Sequence, residues 1–148
     1  MSIANDYADA PTNWAKSFAH RQFKSSPQYL DLTSGTIPTP VYASDIELQP
    51  REVLLGVYEY VPGQRLNSLV ITDQGLFVAR ETGWTYLRYC DIVGARMNLE
   101  HGKAGANSVV LTLTSGQTLV IPAVHEDVGG ISHFIGRTAT IVRRTNQE

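Results

Sequence analysis

The chain reads as a mainly β domain: a bent antiparallel sheet or barrel of about seven strands closed by one C-terminal helix, preceded by an N-terminal helix and a proline-rich connector. Three observations lead there. From Arg51 onward, runs rich in β-branched and aromatic residues recur with only short turns between them. Glycines at 63, 75, 83 and 116 fall between or beside those runs, where turns need them. Toward the C-terminus the apolar period changes, and Ile131, Phe134, Ile135 and Val142 recur at helical spacing.

The first element lies within residues 1 to about 26 and opens at "PTNW", where Thr12 or Asn13 can cap and Pro11 sits just outside. Trp14, Ala15, Phe18, Ala19 and Phe23 fall on one helical face, with Lys16, His20, Arg21 and Lys24 opposite. Such a basic helix with aromatic anchors suits an anionic membrane or a partner's groove. Docking on its own domain is the other reading, since apolar helical stripes usually face a core.

Residues 25–50 carry four prolines, each of which bars regular helix at the residue before it. Pro38 and Pro40 favour extended chain, so this segment is expected to run over the surface as a connector, with Tyr29, Leu30, Leu32 and Ile37 touching it. The organisation divides accordingly into residues 1–46, helix and connector, and residues 47–148, the β domain.

Strands follow at 52–61, ending before Pro62-Gly63, and at 68–73, 76–80 and 84–89. Residues 91–99 either continue the last of these or form a separate strand after a bend near Cys90-Asp91. Residues 108–114 and 118–124, joined by Ser115-Gly116-Gln117, make the clearest hairpin. Glu126 and Asp127 before the closing helix and Arg143 and Arg144 at its end match the helix dipole. Gly136 inside it costs about 1 kcal/mol relative to alanine, which points to close backbone contact or a marginal helix.

A chain of 148 residues, 43% hydrophobic and 18% charged, is long and apolar enough for a core without staples. Twelve Lys plus Arg against fourteen Asp plus Glu leave a net charge of −2, so the broad positive field that nucleic-acid binding needs is missing. The single cysteine, Cys90, excludes an intrachain disulfide and suits a reducing compartment. With no secretory pattern in "MSIANDYADAPTNW" and no apolar run of membrane-spanning length, the expected location is cytoplasmic.

The stretch "EVLLGVYEYVPGQRLNSLVITDQGLFV", then Trp84, "YCDI" at 89–92, "VVLTLTSGQTLVIPAV" and the final helix resemble bacterial pleckstrin-homology-like domains of the GRAM-related kind. The resemblance covers roughly residues 47–143 and rests on "NSLVITDQGL", the YCDI that follows the tryptophan strand, and the order of hairpins. It implies a binding scaffold. Headgroup recognition in lipid-binding relatives uses several basic residues around the loop joining the first two strands, and here "YVPGQRLN" offers Arg65 alone, with Glu59 nearby.

No nucleophile–base pair, metal cluster or phosphate-cradling loop appears at a telling spacing, so neither catalysis nor a cofactor or metal is expected. Cys90 reads as an inert thiol, and His125-Glu126-Asp127 as a polar turn at the helix entrance. Ser132 and His133 are adjacent in a helix and diverge by about 100°, too far to act as a pair. The expected function is non-catalytic binding or scaffolding, through contacts with a protein partner or by self-association into a homo-oligomer. The alternative is peripheral attachment to an anionic membrane through the N-terminal helix.

Three surfaces are candidates for such contacts. One is the N-terminal helix with Trp14, Lys16, Phe18, Arg21 and Lys24. A second is the aromatic group Tyr60, Trp84 and Tyr86 with Arg65 beside it, which serves either as core or as an interface patch. The third is the polar stripe of the closing helix, marked by His133 and Arg137.

Overall fold

Eight strands in two antiparallel sheets, with a helix near each end of the chain, make up the structure, a computed structural model that describes residues 15, 16, 18–23, 26–33, 35–100, 102 and 105–147. The first sheet has five strands in sequence order: β1 (Tyr29–Asp31), β2 (Leu54–Tyr58), β3 (Leu69–Thr72), β4 (Gly75–Arg80) and β5 (Gly83–Arg88). The second has three: β6 (Ile92–Met97), β7 (Ser108–Leu113) and β8 (Thr118–Pro122). A 3-10 turn at Tyr89–Asp91 carries the chain from one sheet to the other, so residues 91–99 form a separate strand. The expectation of a closed barrel is not met: among the described residues the two sheets share no strand pairing, and a common core of side chains from both joins them instead.

Helix α1 comprises residues 15, 16 and 18–23, and α2 spans His125–Gln147, beginning one residue before the acidic pair expected to precede it. Trp14 and Lys24 lie outside the described residues. α1 turns Ala15, Phe18, Ala19 and Phe23 into the main core and leaves Lys16, His20 and Arg21 exposed. The docking reading of its apolar stripe is the one the packing follows. Phe23 stacks at 4.8 Å on Tyr29 and meets Phe134 of α2 at 5.4 Å.

The connector departs from expectation by supplying structure of its own. Tyr29–Asp31 pairs with β2, and a 3-10 turn at Val41–Ala43 lies over the outer face of the five-stranded sheet. Tyr29 passes directly over Gly56, where an added Cβ would overlap the Tyr29 hydroxyl and come within 2.7 Å of the Leu30 carbonyl oxygen. Only glycine lets β1 approach that closely.

The sheet is therefore covered on both faces. Leu69 and Ile71 point to the main core and Val70 to the outer cluster of Ala43, Val57 and Phe77, and all four residues of β3 are fully buried. That explains a continuous apolar run where a one-sided sheet would alternate. At the open end of this outer layer the buried carboxylate of Glu52 accepts from Gln49 N (2.8 Å), Thr72 Oγ1 (2.5 Å) and the Tyr86 hydroxyl (3.0 Å). Three donors offset the cost of holding that side chain away from water.

Candidate functional site

The aromatic group is tied down within the fold. Arg65 donates from Nη1 to the Arg80 carbonyl and from Nη2 to the Gly83 carbonyl, both at 2.7 Å, and its guanidinium lies 4.7 Å from the centre of the Trp84 ring. Trp84 Nε1 donates to Asp45 (3.1 Å), and the ring stacks on Tyr42 at 6.5 Å. Tyr86 stacks on Phe77 at 4.4 Å and donates to Glu52. Burial, then the neighbouring carboxylate, pushes the Tyr42 and Tyr86 phenols well above the ordinary tyrosine range. Tyr60 follows β2, half-buried. Arg65, Trp84 and Tyr86 thus come together as an internal clamp, away from His133 and Arg137 on α2.

A different set of residues frames open space. A groove of about 580 Å³ runs between β6 and α2. Its floor is low because Gly129 and Gly136, seven residues apart on α2, project the same way and bring no side chain. A Cβ at either would meet nothing within 4 Å, so Gly136 makes room and is not a close backbone contact. Gly94 on β6 faces equally open space.

β6 is an edge strand: β7 pairs with one side of it, and among the described residues no strand pairs with the other. α2 secures that open side at two points, through Ser132 Oγ to the Ala95 carbonyl (3.3 Å) and Arg143 Nη1 to the Ile92 carbonyl. Asn98 N donates to Ser108 O of β7. Because antiparallel strands alternate which residue faces the partner, Ala95 and Met97 direct their peptide groups to the open side. Among the described residues, the N–H of each and the Met97 carbonyl meet no hydrogen-bonding partner on that side and are open to an added strand.

The groove's electrostatics have one sign. Arg96 of β6 and His133 and Arg137 of α2 line it and are exposed, and among the described residues its lining holds no carboxylate. His133 is steadied by an edge-on contact with Phe18 at 5.2 Å, and Arg21 lies 5.6 Å over the other partner in that contact, the Phe18 ring. Phe18 itself is 6% exposed, so it acts as core and not as surface.

A second recess, of about 490 Å³, lies where α1 meets the start of α2. Its principal acid, Asp127, is occupied: Ser26 Oγ donates to it at 3.0 Å and the Tyr58 hydroxyl at 2.8 Å, while that hydroxyl accepts from Val124 N at 3.0 Å. This network fastens both helices to the sheet. Cys90 is half-buried with Sγ 3.9 Å from Asp91 Oδ1, and His125 Nδ1 lies 2.8 Å from the Ala106 carbonyl oxygen. Among the described residues no three His, Cys, Asp or Glu side chains gather as a metal would require, and no helix is long and apolar enough to cross a membrane.

The chain finds no match among protein-family models, curated proteins or solved structures. The groove is thus read from its own residues. Sequence reasoning marked its rim at His133 and Arg137 but missed Arg96, Gly129 and the role of Ser132. The spacing of Gly129 and Gly136 was the available signal, since glycines two turns apart on one helix face, with only the short Ser132 between them, leave a trough.

Proposed function

We propose that this protein is a non-catalytic binding module of pleckstrin-homology-like type, which takes an extended acidic segment of a protein partner into the groove between β6 and α2. The observation that carries the reading is the side of β6 that, among the described residues, no strand pairs, beside a helix face kept low by Gly129, Ser132 and Gly136 and rimmed by Arg96, His133 and Arg137. Main-chain pairing to Ala95 and Met97 supplies affinity that does not depend on side-chain identity, and the cationic rim selects for acidic segments. The succession of antiparallel hairpins followed by a terminal helix supports the family reading. The membrane alternative has less to draw on, because the apolar residues of α1 are spent on the core.

Titrating the isotopically labelled full chain with an acidic peptide of alternating valine and glutamate tests this. Amide shifts should centre on Ala95, Met97 and Gly136, weaken with salt and disappear in the Arg96→Glu/Arg137→Glu variant. Shifts centred elsewhere, or none at millimolar peptide, would discard the groove as a binding site. A salt-independent dimer formed through β6 would instead assign the edge to a second copy of the chain.

A further inference from the structure

Among the described residues β1, β5, β6 and β8 end the two sheets, and three of these edges are blunted. β1 is only three residues long, and its Asp31 is taken up by His20 of α1, Nδ1 to Oδ2 at 3.0 Å. β6 shifts register between Ile92 and Gly94 and shares its open side with α2. On β8, Leu113 N donates to Gln117 O and Ala123 N to Asn107 O, so the alternation turns Thr118, Val120 and Pro122 outward. Proline there has no N–H to offer an added strand. Sheets guard their edges by such devices.

β5 carries none of them. It pairs with β4 in unbroken register from Gly75↔Arg88 to Arg80↔Gly83, contains neither proline nor lysine, and is aromatic and β-branched at Trp84-Thr85-Tyr86. Tyr89 N donates to Gln74 O, so Thr85 and Leu87 direct their peptide groups to β4 and Trp84, Tyr86 and Arg88 direct theirs outward. Among the described residues, the N–H groups of those three and the carbonyls of Trp84 and Tyr86 meet no hydrogen-bonding partner on that side. The Arg88 carbonyl opens the 3-10 turn that follows. The clamp holds the Trp84 and Tyr86 side chains but leaves their main chain free to pair.

We propose that β5 pairs antiparallel with β5 of a second copy of this chain, about a two-fold axis at Tyr86 normal to the sheet, so that two five-stranded sheets become one. The same surface serves on both copies, as a two-fold interface requires. The register that engages all three outward residues sets Tyr86 opposite the partner's Tyr86 and Arg88 opposite the partner's Trp84. Each Tyr86 N–H then donates to the partner's Tyr86 carbonyl, and each Arg88 N–H to the partner's Trp84 carbonyl.

Charge favours this occupant. Trp84 Nε1 donates to Asp45 at 3.1 Å, so an exposed carboxylate stands beside the ring. Trp84 and Tyr86 pack on the outer cluster, and Arg88, two residues on, shares their face. Residues that exchange hydrogen bonds across an antiparallel pair lie about 5.5 Å apart at Cα, which brings the exposed Arg88 guanidinium within reach of the partner's Asp45 on each side of the axis. The pairing uses the five-stranded sheet and is independent of the groove on β6.

Sedimentation equilibrium of the full chain from micromolar to millimolar concentration, with hydrogen exchange at both ends of that range, tests it. A monomer–dimer equilibrium that weakens with salt is expected. As the dimer fills, the Tyr86 and Arg88 amides should slow about tenfold, while Thr85 and Leu87, bonded to β4, stay protected at every concentration. Arg88→Glu and Asp45→Arg should each weaken the dimer about tenfold, and the two combined should restore it. Both side chains are exposed, and circular dichroism at micromolar concentration checks that each variant is folded. A chain still monomeric at millimolar concentration would overturn the proposal. Concentration-dependent protection at Ala95 and Met97, or at Thr118 and Val120, would also overturn it by placing the second copy on β6 or β8. A dimer indifferent to both charge reversals would overturn the register.

Discussion

Arg65 and Trp84 form a clamp between two loops: the guanidinium lies 4.7 Å from the ring centre while its two terminal nitrogens are spent on the carbonyls of Arg80 and Gly83. The cation that a headgroup would need in this loop is already committed. Lysine cannot reproduce the fork, so Arg65→Lys should lower stability by about 1 kcal/mol in denaturant titration followed by tryptophan fluorescence. Its affinity for anionic vesicles should not change. A variant that loses vesicle binding without losing stability would contradict the structural role.

Gly56 and Gly94 both lie in strands, yet their surroundings differ. Alanine at 56 would collide with Tyr29 and the β1 backbone, whereas alanine at 94 meets nothing within 4 Å. Gly56→Ala should therefore cost at least about 2 kcal/mol and weaken protection of the β1 amides, with Gly94→Ala within about 0.5 kcal/mol of the original protein. Equal melting temperatures for the two variants would refute the close approach of β1.

Tyr58 joins the sheet to α2 through one hydroxyl, donating to Asp127 and accepting from Val124 N. Tyr58→Phe keeps the buried ring and removes both bonds. A loss of about 1–2 kcal/mol is expected, and Asp127→Asn should cost less in the Tyr58→Phe background than in the original chain. Additive losses in that double-mutant cycle would show that the two groups do not interact.

Burial raises the phenols of Tyr29, Tyr42, Tyr58, Tyr86 and Tyr89 above their ordinary value, helped at Tyr42, Tyr58 and Tyr86 by a hydrogen-bonded carboxylate. The unfolded chain loses these protons near pH 10 and the folded chain does not, so the unfolded state binds fewer protons above that point. Their contribution is complete below about pH 10 and falls as pH climbs toward the folded values. Phenolate absorbance should thus appear for most tyrosines together with unfolding. A smooth titration of the native protein near pH 10 would contradict their burial.

The strand series and the closing helix were legible because turns and period changes are local properties of the chain. Gly63, Gly83 and Gly116 have positive φ, as their turn positions required. β1 was not legible: Tyr29–Asp31 is three residues long among prolines, and what makes it a strand is the bare backbone at Gly56, far along the chain. The break near Cys90-Asp91 was one of two readings, and the separation into two sheets was left open because the 3-10 turn at Tyr89–Asp91 follows β5 without a glycine or proline to mark it. Of the groove, the charged rim could be read from helical spacing, whereas the contribution of Arg96 depended on knowing which side of β6 stays unpaired.

The ring contacts of Phe18 and Phe23 with Phe134 place two early residues against one made more than a hundred positions later. During synthesis the first helix therefore emerges with an oily flank and no seat for it, and the five-stranded sheet waits with its inner side half clad. Chaperone dependence should concentrate in that interval, ending when the last helix leaves the ribosome and the two helices close over the sheet together.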